Sequence, residues 1–584
     1  MGLNASTALD METDDEVFES AYVAPSFKPT DEQSVVIDAA LSGDSVSVSA
    51  FAGAGKTSTQ KAVSEAIFQQ NPRRTIHYFA FNRAMADEAK EKFSVRVRVS
   101  TAHSLAWNAT VDGKQLGGTF KNRLKSGKEL RDAVIDRHGR SLKEVRRFIQ
   151  SEYTAVSDVL ETVRNFCYSA DNEVLPRHAP YEHYSIISGL HGKKEGEAYA
   201  FAVSAAAAAV WRDMSSLQGN FPASHDVYLK LWATRGDYKG FDLVLFDEAQ
   251  DANPVMISAL EKMRNHGAQI ILVGDPHQSI YGWRGAADAM SAFPEFTRAH
   301  LTESFRFGQN IADAGQLFLS TAGEKLPLKG RNPNPGIHRD GPADPQEPFP
   351  ANAILCRSNS GVIFTALDHI ESGGRPYIEG GADNAAKLLM ALRDLFNTRD
   401  GQDNKFRNRH PEISLFEKWE DLEEYAESRE GGSFKPFVGI TKRMMGMGTM
   451  DKSINALRNG AAASRSEGDV TVSTVHKAKG LEWENVQMGS DWEKTQLMVT
   501  HEYDDENGEP REAYSVNQEN YKLLYVAWTR AQSKLETSGW HSMYENQAKA
   551  IKYHHLTPEI AERVRAKEND LLGKDGASPS MERR

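Results

Sequence analysis

Ser45-Val46-Ser47-Val48-Ser49 alternates polar and apolar residues, the two-residue period of a strand, and residues 58–69 then carry a helical pattern. Thr75-Ile76-His77-Tyr78-Phe79-Ala80-Phe81 reads as a buried strand, after which Asn82-Arg83 opens a helix. Val95-Arg96-Val97-Arg98-Val99-Ser100 alternates strictly and predicts a further strand. Strands alternating with helices predict a parallel sheet whose ligand crevice lies at the strands' carboxyl ends. From about residue 107 to 235 the strand rhythm stops, which predicts a helical insertion. The sheet resumes at Phe241-Asp242-Leu243-Val244-Leu245-Phe246 and at Gln269-Ile270-Ile271-Leu272-Val273. A second sheet is predicted to begin near Leu301 with Glu303-Ser304-Phe305-Arg306-Phe307. It continues at Ala353-Ile354-Leu355-Cys356 and Val470-Thr471-Val472-Ser473-Thr474. Residues 329–350, rich in Pro, Gly and Asn, and the hydrophilic residues 503–511 predict loops.

The division that follows is an α/β chain with two parallel-sheet domains, each carrying a mainly helical insertion. The first domain takes residues 26–106 and 236–300, with 107–235 inserted. The second takes 301–375 and 468–545, with 376–467 inserted. Residues 1–25 are acidic and predict disorder, and 546–584 predict a charged helix with a frayed tail.

Composition narrows this little. A chain of 584 residues is too long for one core. The net charge of −12 argues against a uniformly basic nucleic-acid coat but leaves room for a local basic groove. Residues 121–147 are locally basic, readable either as a solvated helix face or as a nucleic-acid track. The two cysteines, Cys167 and Cys356, match no metal spacing and point to a reducing compartment. No stretch is long and apolar enough to span a bilayer, and the N-terminus lacks a signal pattern. A cytoplasmic or nucleoid-associated protein is expected, nuclear in a eukaryote.

Chemistry enters at Ala50-Phe51-Ala52-Gly53-Ala54-Gly55-Lys56-Thr57, a small-residue turn between a strand and a helix. Such a turn lets backbone N–H groups curl around a β-phosphate beside a helix N-terminus. Ala52 to Gly55 would form the cradle with Ser58 beyond it; Lys56 would reach the β- and γ-phosphates, and the Thr57 hydroxyl would ligate Mg²⁺. The pattern departs from its usual form in having Ala50 at the first glycine. Downstream, an apolar strand ends in Asp247-Glu248-Ala249-Gln250-Asp251. Asp247 would hold Mg²⁺ and Glu248 would orient and deprotonate the attacking water, which makes the site hydrolytic. Thr30 and Gln33 fit a helix capping box; the Gln33 amide could equally read an adenine, and both readings can hold together. Gln278 could sense the γ-phosphate. Tyr281 and Trp283 offer flat faces to bases, or pack as local core.

These blocks, taken in order from about residue 30 to 531, resemble the UvrD/Rep-type superfamily 1 DNA helicases. The most specific are Asp247-Glu248-Ala249-Gln250-Asp251, residues 274–286, residues 474–483 and Tyr525-Val526-Ala527-Trp528-Thr529-Arg530-Ala531. Within that family the chain looks nearest to the F-box-type helicases, without an F-box segment before the motor. The resemblance implies two RecA-like motor domains with ATP and Mg²⁺ between them and single-stranded DNA across their top. By motif position it implies that Gln33 contacts adenine, Phe305 stacks on it, and Glu482 meets the ribose or phosphate region. Arg306 and Arg530 would reach the γ-phosphate from the second domain, and Gln278 would couple hydrolysis to movement. For DNA the matching positions are Phe81, Asn82, His103, Tyr281, Trp283, Arg357, Asn359 and His476. The family's frequent Phe-Thr-Asn-Lys stands here as Ala80-Phe81-Asn82-Arg83.

The function implied is an ATP-dependent helicase moving 3′ to 5′ on single strands and acting at single-strand/duplex junctions, with roles in DNA repair and recombination. Two alternatives keep the same residues: a translocase that strips proteins or recombination filaments from DNA with weak unwinding, and an ATP-switched DNA-binding scaffold. The terminal segments leave room for protein partners. No acidic or metal-ligand cluster follows the last motif, so a fused nuclease is not expected.

Overall fold

A computed structural model of the chain describes residues 28–112, 120–125, 127–149, 151–216, 219–280, 288–341, 349–400, 410, 413, 416, 418–427, 434–493 and 495–575. The acidic stretch 1–25, Tyr281 and Trp283 lie outside the described residues. In chain order the strands are β1 (Val46–Ala50), β2 (Ile76–Ala80), β3 (Val97–Thr101), β4 (Leu243–Phe246), β5 (Gln269–Gly274) and β6 (Thr297–Leu301). There follow β7 (Glu303–Ser304), β8 (Lys329–Gly330), β9 (Ile337–Arg339), β10 (Ala353–Cys356) and β11 (Tyr377–Ile378). The last are β12 (Thr471–Thr474), β13 (Trp483–Met488), β14 (Met498–Asp504), β15 (Pro510–Val516) and β16 (Ala531–Glu536). Two six-stranded sheets result, in the orders β3-β2-β4-β5-β1-β6 and β11-β12-β10-β13-β16-β9. Every pairing in both is parallel.

The first sheet is buried on both faces, and strand alternation decides which residue serves which face. Leu243, Leu245, Ile271 and Val273 pack on one side with Val46, Val48 and the helix Lys56–Gln70. Val244, Phe246, Ile270 and Leu272 pack on the other with Val159, Phe166, Tyr199 and Trp232 of the helical insertion. That insertion therefore shares its core with the sheet. Its main helices are Gly127–Val145, Glu152–Tyr168, Tyr181–His191, Lys193–Met214 and His225–Arg235.

The second insertion, with helices Ala382–Phe396, Trp419–Glu427, Lys435–Gly446 and Met450–Gly460, packs on Cys356 and Val472 of the second sheet and on Ile363 of the helix Asn359–Glu371. Ile186 of the first insertion is buried in the same cluster. Beside it the Ser185 and Tyr425 hydroxyls meet at 3.1 Å. Among the described residues no helix is long and apolar enough to cross a membrane.

Four expectations change. β6 belongs to the first sheet, where Val46 to Ala50 pair with Thr297 to Leu301, so no second sheet starts at Leu301; β7 pairs only with β8. Residues 329–350 include β9, an edge strand paired with Lys534 to Glu536. Residues 503–511 are the tip of an antiparallel hairpin formed by β14 and β15. Tyr377–Ile378, inside the expected insertion, extends the second sheet by pairing with Thr471 and Val472.

In the basic tract several described charges are paired, as in Lys125–Glu129, Arg137–Asp213 and Arg147–Glu144. Arg123 is buried and donates to the carbonyls of Phe221, Ser216, Asp213 and Met214. Its guanidinium closes a turn.

His77 on β2 is 4% exposed, with its ring 4.4 Å from that of Phe241. Burial, then the charge of Arg98, pushes its pKa from 6.5 to about 4. A base whose folded pKa is depressed supports the fold while neutral, and that contribution is lost as pH falls below 6.5 toward 4. Acidifying from pH 7 to pH 5 should remove on the order of 2 kcal/mol through this group. Thermal melts of His77→Phe across that range are expected to show a shallower pH dependence than the parent; equal slopes would refute the assignment.

Candidate active site between the two sheets

Parallel pairing sets Ser49 against Gly274 and Phe246 against Leu272, so the carboxyl ends of β1, β4 and β5 share one edge. From that edge hang the turn 51–55, the acids Asp247 and Glu248, and Asp275. The turn needs glycine at two points: Gly53 and Gly55 have φ of 74° and 77°, the left-handed region that side chains rarely adopt. A Cβ on Gly53 would fall 2.4 Å from Ser304 Oγ and 2.7 Å from Arg306 Cβ. One on Gly55 would lie 3.2 Å from Gln33 Nε2 and 3.5 Å from the Phe305 ring. The turn thus touches the segment that brings Arg306. The following helix has no side-chain cap at its N-terminus, leaving its first N–H groups and its positive end to an anion.

Lys56 Nζ lies 2.8 Å from Glu248 Oε1. Burial opposes its charge, but Glu248, Asp247 and Asp275 outweigh burial and raise its pKa. Asp247 is buried, and burial together with the adjacent Glu248 carboxylate raises its pKa. Its Oδ2 accepts from Tyr78 Oη at 2.5 Å, and Thr57 lies near the same phenol. Tyr78 therefore stands close to both side chains whose oxygens suit a hard divalent cation. Among the described residues no group of three or more His, Cys, Asp or Glu could hold a metal without substrate oxygens. A hydroxyl, a carboxylate and an open helix N-terminus fit Mg²⁺ carried on a nucleotide, which keeps several of its ligands outside the protein.

Glu248 stands at φ 50°, ψ 44°, which turns its carboxylate back toward Lys56. Gln250 Nε2 donates to its Oε2 at 2.5 Å. Burial would raise the Glu248 pKa; Lys56 and Lys479 override it and bring it down to about 2. The same glutamine accepts the Asp275 N–H at 2.9 Å through its Oε1. Asp251, four residues beyond Asp247, is pushed up to about 6 by burial although Lys479 pairs with it.

Three groups reach this edge from the second sheet. Arg530, 1% exposed, donates to the carbonyls of Val526 and Leu481 at 2.9 and 3.2 Å and to Gln278 Oε1 at 3.2 Å. Burial and then repulsion from Arg306 lower its pKa to about 9. Arg306 donates to Glu482 Oε2 at 2.5 Å and to the Thr529 carbonyl at 2.9 Å. Lys479 pairs with Asp251 and donates to the Gln278 carbonyl at 2.6 Å. Gln278 itself donates to Asp275 Oδ2 at 2.7 Å, so it stands between Asp275 and Arg530.

The Gln33 amide is engaged in the capping box: it accepts the Thr30 N–H at 3.0 Å and donates to Thr59 Oγ1 at 3.1 Å. Phe305 is 49% exposed, an uncovered ring beside Gly55. Ala52 and Ala54 are buried, while Ser58 faces outward.

On the first sheet's upper edge a groove of about 490 Å³ is lined by Phe81, Asn82, Arg83, Lys90, Ser100 and His103. Asn82 caps the helix Arg83–Lys92 by accepting the Met85 N–H, and Phe81 is 49% exposed. His103 is fixed by Asp226 at 3.1 Å, whose same oxygen accepts from Tyr168. Across the molecule, the pairing of Cys356 with Thr474 sets Arg357, Asn359 and His476 along the matching edge of the second sheet. The Arg357 N–H donates to Asp491 Oδ1.

Tyr78, Lys479, Asp251 and Tyr525 were not singled out by the sequence reading. Lys479 and Asp251 lie in blocks already quoted, three residues from Glu482 and Glu248 respectively, and charge in an apolar setting was the signal for them. Tyr78 gave none, because a tyrosine in a buried strand reads as core.

Residues 30–295 match the UvrD/REP helicase N-terminal domain, and residues 365–541 match the UvrD-like helicase C-terminal domain. The chain is 27% identical over 544 residues to F-box DNA helicase protein 1 of Schizosaccharomyces pombe, covering 89% of this chain and 58% of that one. It is 27% identical over 530 residues to F-box DNA helicase 1 of Gallus gallus, covering 87% and 49% respectively. A shorter match, 32% over 94 residues, is to ATP-dependent DNA helicase PcrA of Leuconostoc citreum, covering 15% of this chain and 13% of that one. The chain thus spans about half the length of the two F-box relatives. With two family domains matched over more than half of its length, the chain belongs to the UvrD-like helicase family.

Proposed function

We propose that this chain is an ATP-driven DNA motor that moves 3′ to 5′ on single-stranded DNA, separates duplex at junctions, and couples hydrolysis to closure of its two sheet domains. The observation that carries this reading is the meeting of Arg530 and Arg306 of one domain with Gln278 and the glycine turn of the other. The printed names of the relatives, DNA helicases in each case, support DNA as the substrate.

In this reading Lys56 exchanges Glu248 for the β- and γ-phosphates when ATP enters. Glu248, released from that ion pair but still held by Gln250, orients water and takes its proton. Thr57 and Asp247 would hold Mg²⁺, which would offset the negative charge of the phosphates. Phe305 supplies a stacking face for adenine, and Glu482 lies toward the ribose. Arg530 and Arg306 meet charge developing on the γ-phosphate only while the domains are together, so each hydrolysis is tied to a domain movement. Phe81, Asn82 and His103 on one edge, and Arg357, Asn359 and His476 on the other, bound the strand's path. With both edges moving past each other, DNA advances.

The test uses duplexes with matched 3′ and 5′ single-stranded tails. ATPase activity should rise with single-stranded DNA, only the 3′-tailed duplex should be separated, and Arg357→Ala should weaken DNA binding while leaving DNA-free hydrolysis unchanged. Hydrolysis indifferent to DNA would overturn the motor reading. Protein displacement without strand separation would favour the stripping translocase instead.

A further inference from the structure

The phosphate-binding turn is gripped from behind as well as from the cleft. Tyr525, on the helix Gln518–Trp528 of the second domain, is fully buried, and its Oη accepts the Ala52 N–H at 3.0 Å. The Asp275 carboxylate lies near the same hydroxyl and, after burial, adds to the rise in its pKa. Around it, Phe51, Ala52 and Ile280 of the first domain are buried in the same apolar cluster as Leu524, Trp528 and Phe318 of the second. His277 completes the contact, with its ring 5.9 Å from Phe51 and 6.1 Å from Tyr525, and Glu324 of the second domain at 3.3 Å.

Asp275 is where the two grips join. It is fully buried, accepts from Gln278 Nε2 and the His277 N–H, and lies near the Tyr525 hydroxyl. The Ala52 backbone is bonded to Tyr525, and the adjoining Asp275 is bonded through Gln278 to Arg530, five residues along the chain from Tyr525. A buried N–H must find an acceptor, and here the acceptor belongs to the other domain. We propose that Tyr525 is a positioning residue of the hydrolysis cycle: its hydroxyl fixes the phosphate turn to the second domain, so that ATP consumption stays matched to DNA movement. This inference rests on the motor reading above.

The test measures phosphate released per nucleotide travelled, using the full chain on single-stranded DNAs of graded length. Tyr525→Phe keeps the ring and removes the acceptor. It is expected to raise the ATP used per nucleotide at least about twofold, with KM for ATP changed by less than about twofold. Tyr544→Phe is the control. That hydroxyl is equally buried but donates to the Trp492 carbonyl of its own domain, so the ratio should stay at the parent value. An unchanged ratio in Tyr525→Phe overturns the proposal. If that variant melts below the assay temperature, the same measurement is taken on Phe51→Leu, which thins the apolar half of the contact; a raised ratio supports the proposal and an unchanged one overturns it. A parent chain whose hydrolysis ignores DNA removes the motor reading itself, a failure seen before any variant is made.

Discussion

Glu248→Gln is expected to lower DNA-stimulated ATP hydrolysis by about 10³-fold while leaving ATP binding within a few-fold of the parent, the scale of a lost general base. The reasoning starts from its backbone. At φ 50° the residue points its carboxylate at Lys56 and receives Gln250, and a glutamine can occupy the same volume. What it cannot do is accept a proton from water. The carboxylate's pKa of about 2, set by Lys56 and Lys479 against the effect of burial, keeps it ionised through the neutral range. When a nucleotide draws Lys56 away, one of those two cations leaves, and the carboxylate becomes more basic at the moment a base is needed. Single-turnover hydrolysis alongside binding of a fluorescent ATP analogue separates the two effects. A rate within tenfold of the parent would exclude Glu248 as the base.

Arg530→Lys is the second large effect, an expected loss of about 10³-fold or more in the DNA-stimulated rate, the scale of a missing arginine finger. Arg530 is buried, and its hydrogen bonds run to neutral oxygens of Val526, Leu481, Thr529 and Gln278. Its neighbour Arg306 repels it. A buried cation without a carboxylate of its own beside a second cation leaves positive charge that a phosphate would neutralise. Lysine keeps the charge and most of the stem, yet its single ammonium cannot address three acceptors in a planar fork. Steady-state kinetics with a thermal melt check the point. The rate should fall with a melting temperature close to the parent's, and a Lys variant within tenfold of the parent would end the finger assignment.

Glu248 was legible in the sequence for a physical reason, whereas Arg530 was indicated only by the resemblance of its motif. Asp247 and Glu248 close an apolar run, where charge stands out, and the turn before Lys56 is written in residues that only a tight loop favours. Two parallel sheets were legible in outline for the same reason, since β1 to β5, β10 and β12 carry apolar runs or alternation, although β6 was assigned to the wrong sheet. The edge strand Ile337–Arg339 was not. It is three residues long, and its partner Lys534 to Glu536 lies almost two hundred residues later, so no local pattern announces the pairing. The hairpin of β14 and β15 was hidden because most of its residues face solvent, which removes the apolar signal that marks a buried strand. Tyr525 shows a further kind of concealment: it reads as core by composition and is core, yet its one polar atom serves a backbone N–H more than four hundred residues away.

Ile186 gives the architecture a mechanical property. Since its side chain is embedded among the helices of the second insertion, and since Ser185 and Tyr425 meet beside it, the molecule is stitched at two separate seams. The insertion-to-insertion seam and the Arg530 seam cannot both stay shut through a large swing. Under the proposed domain movement, a rotation that unseats the guanidinium while sparing Ile186 would have to be absorbed where each helical insertion joins its sheet.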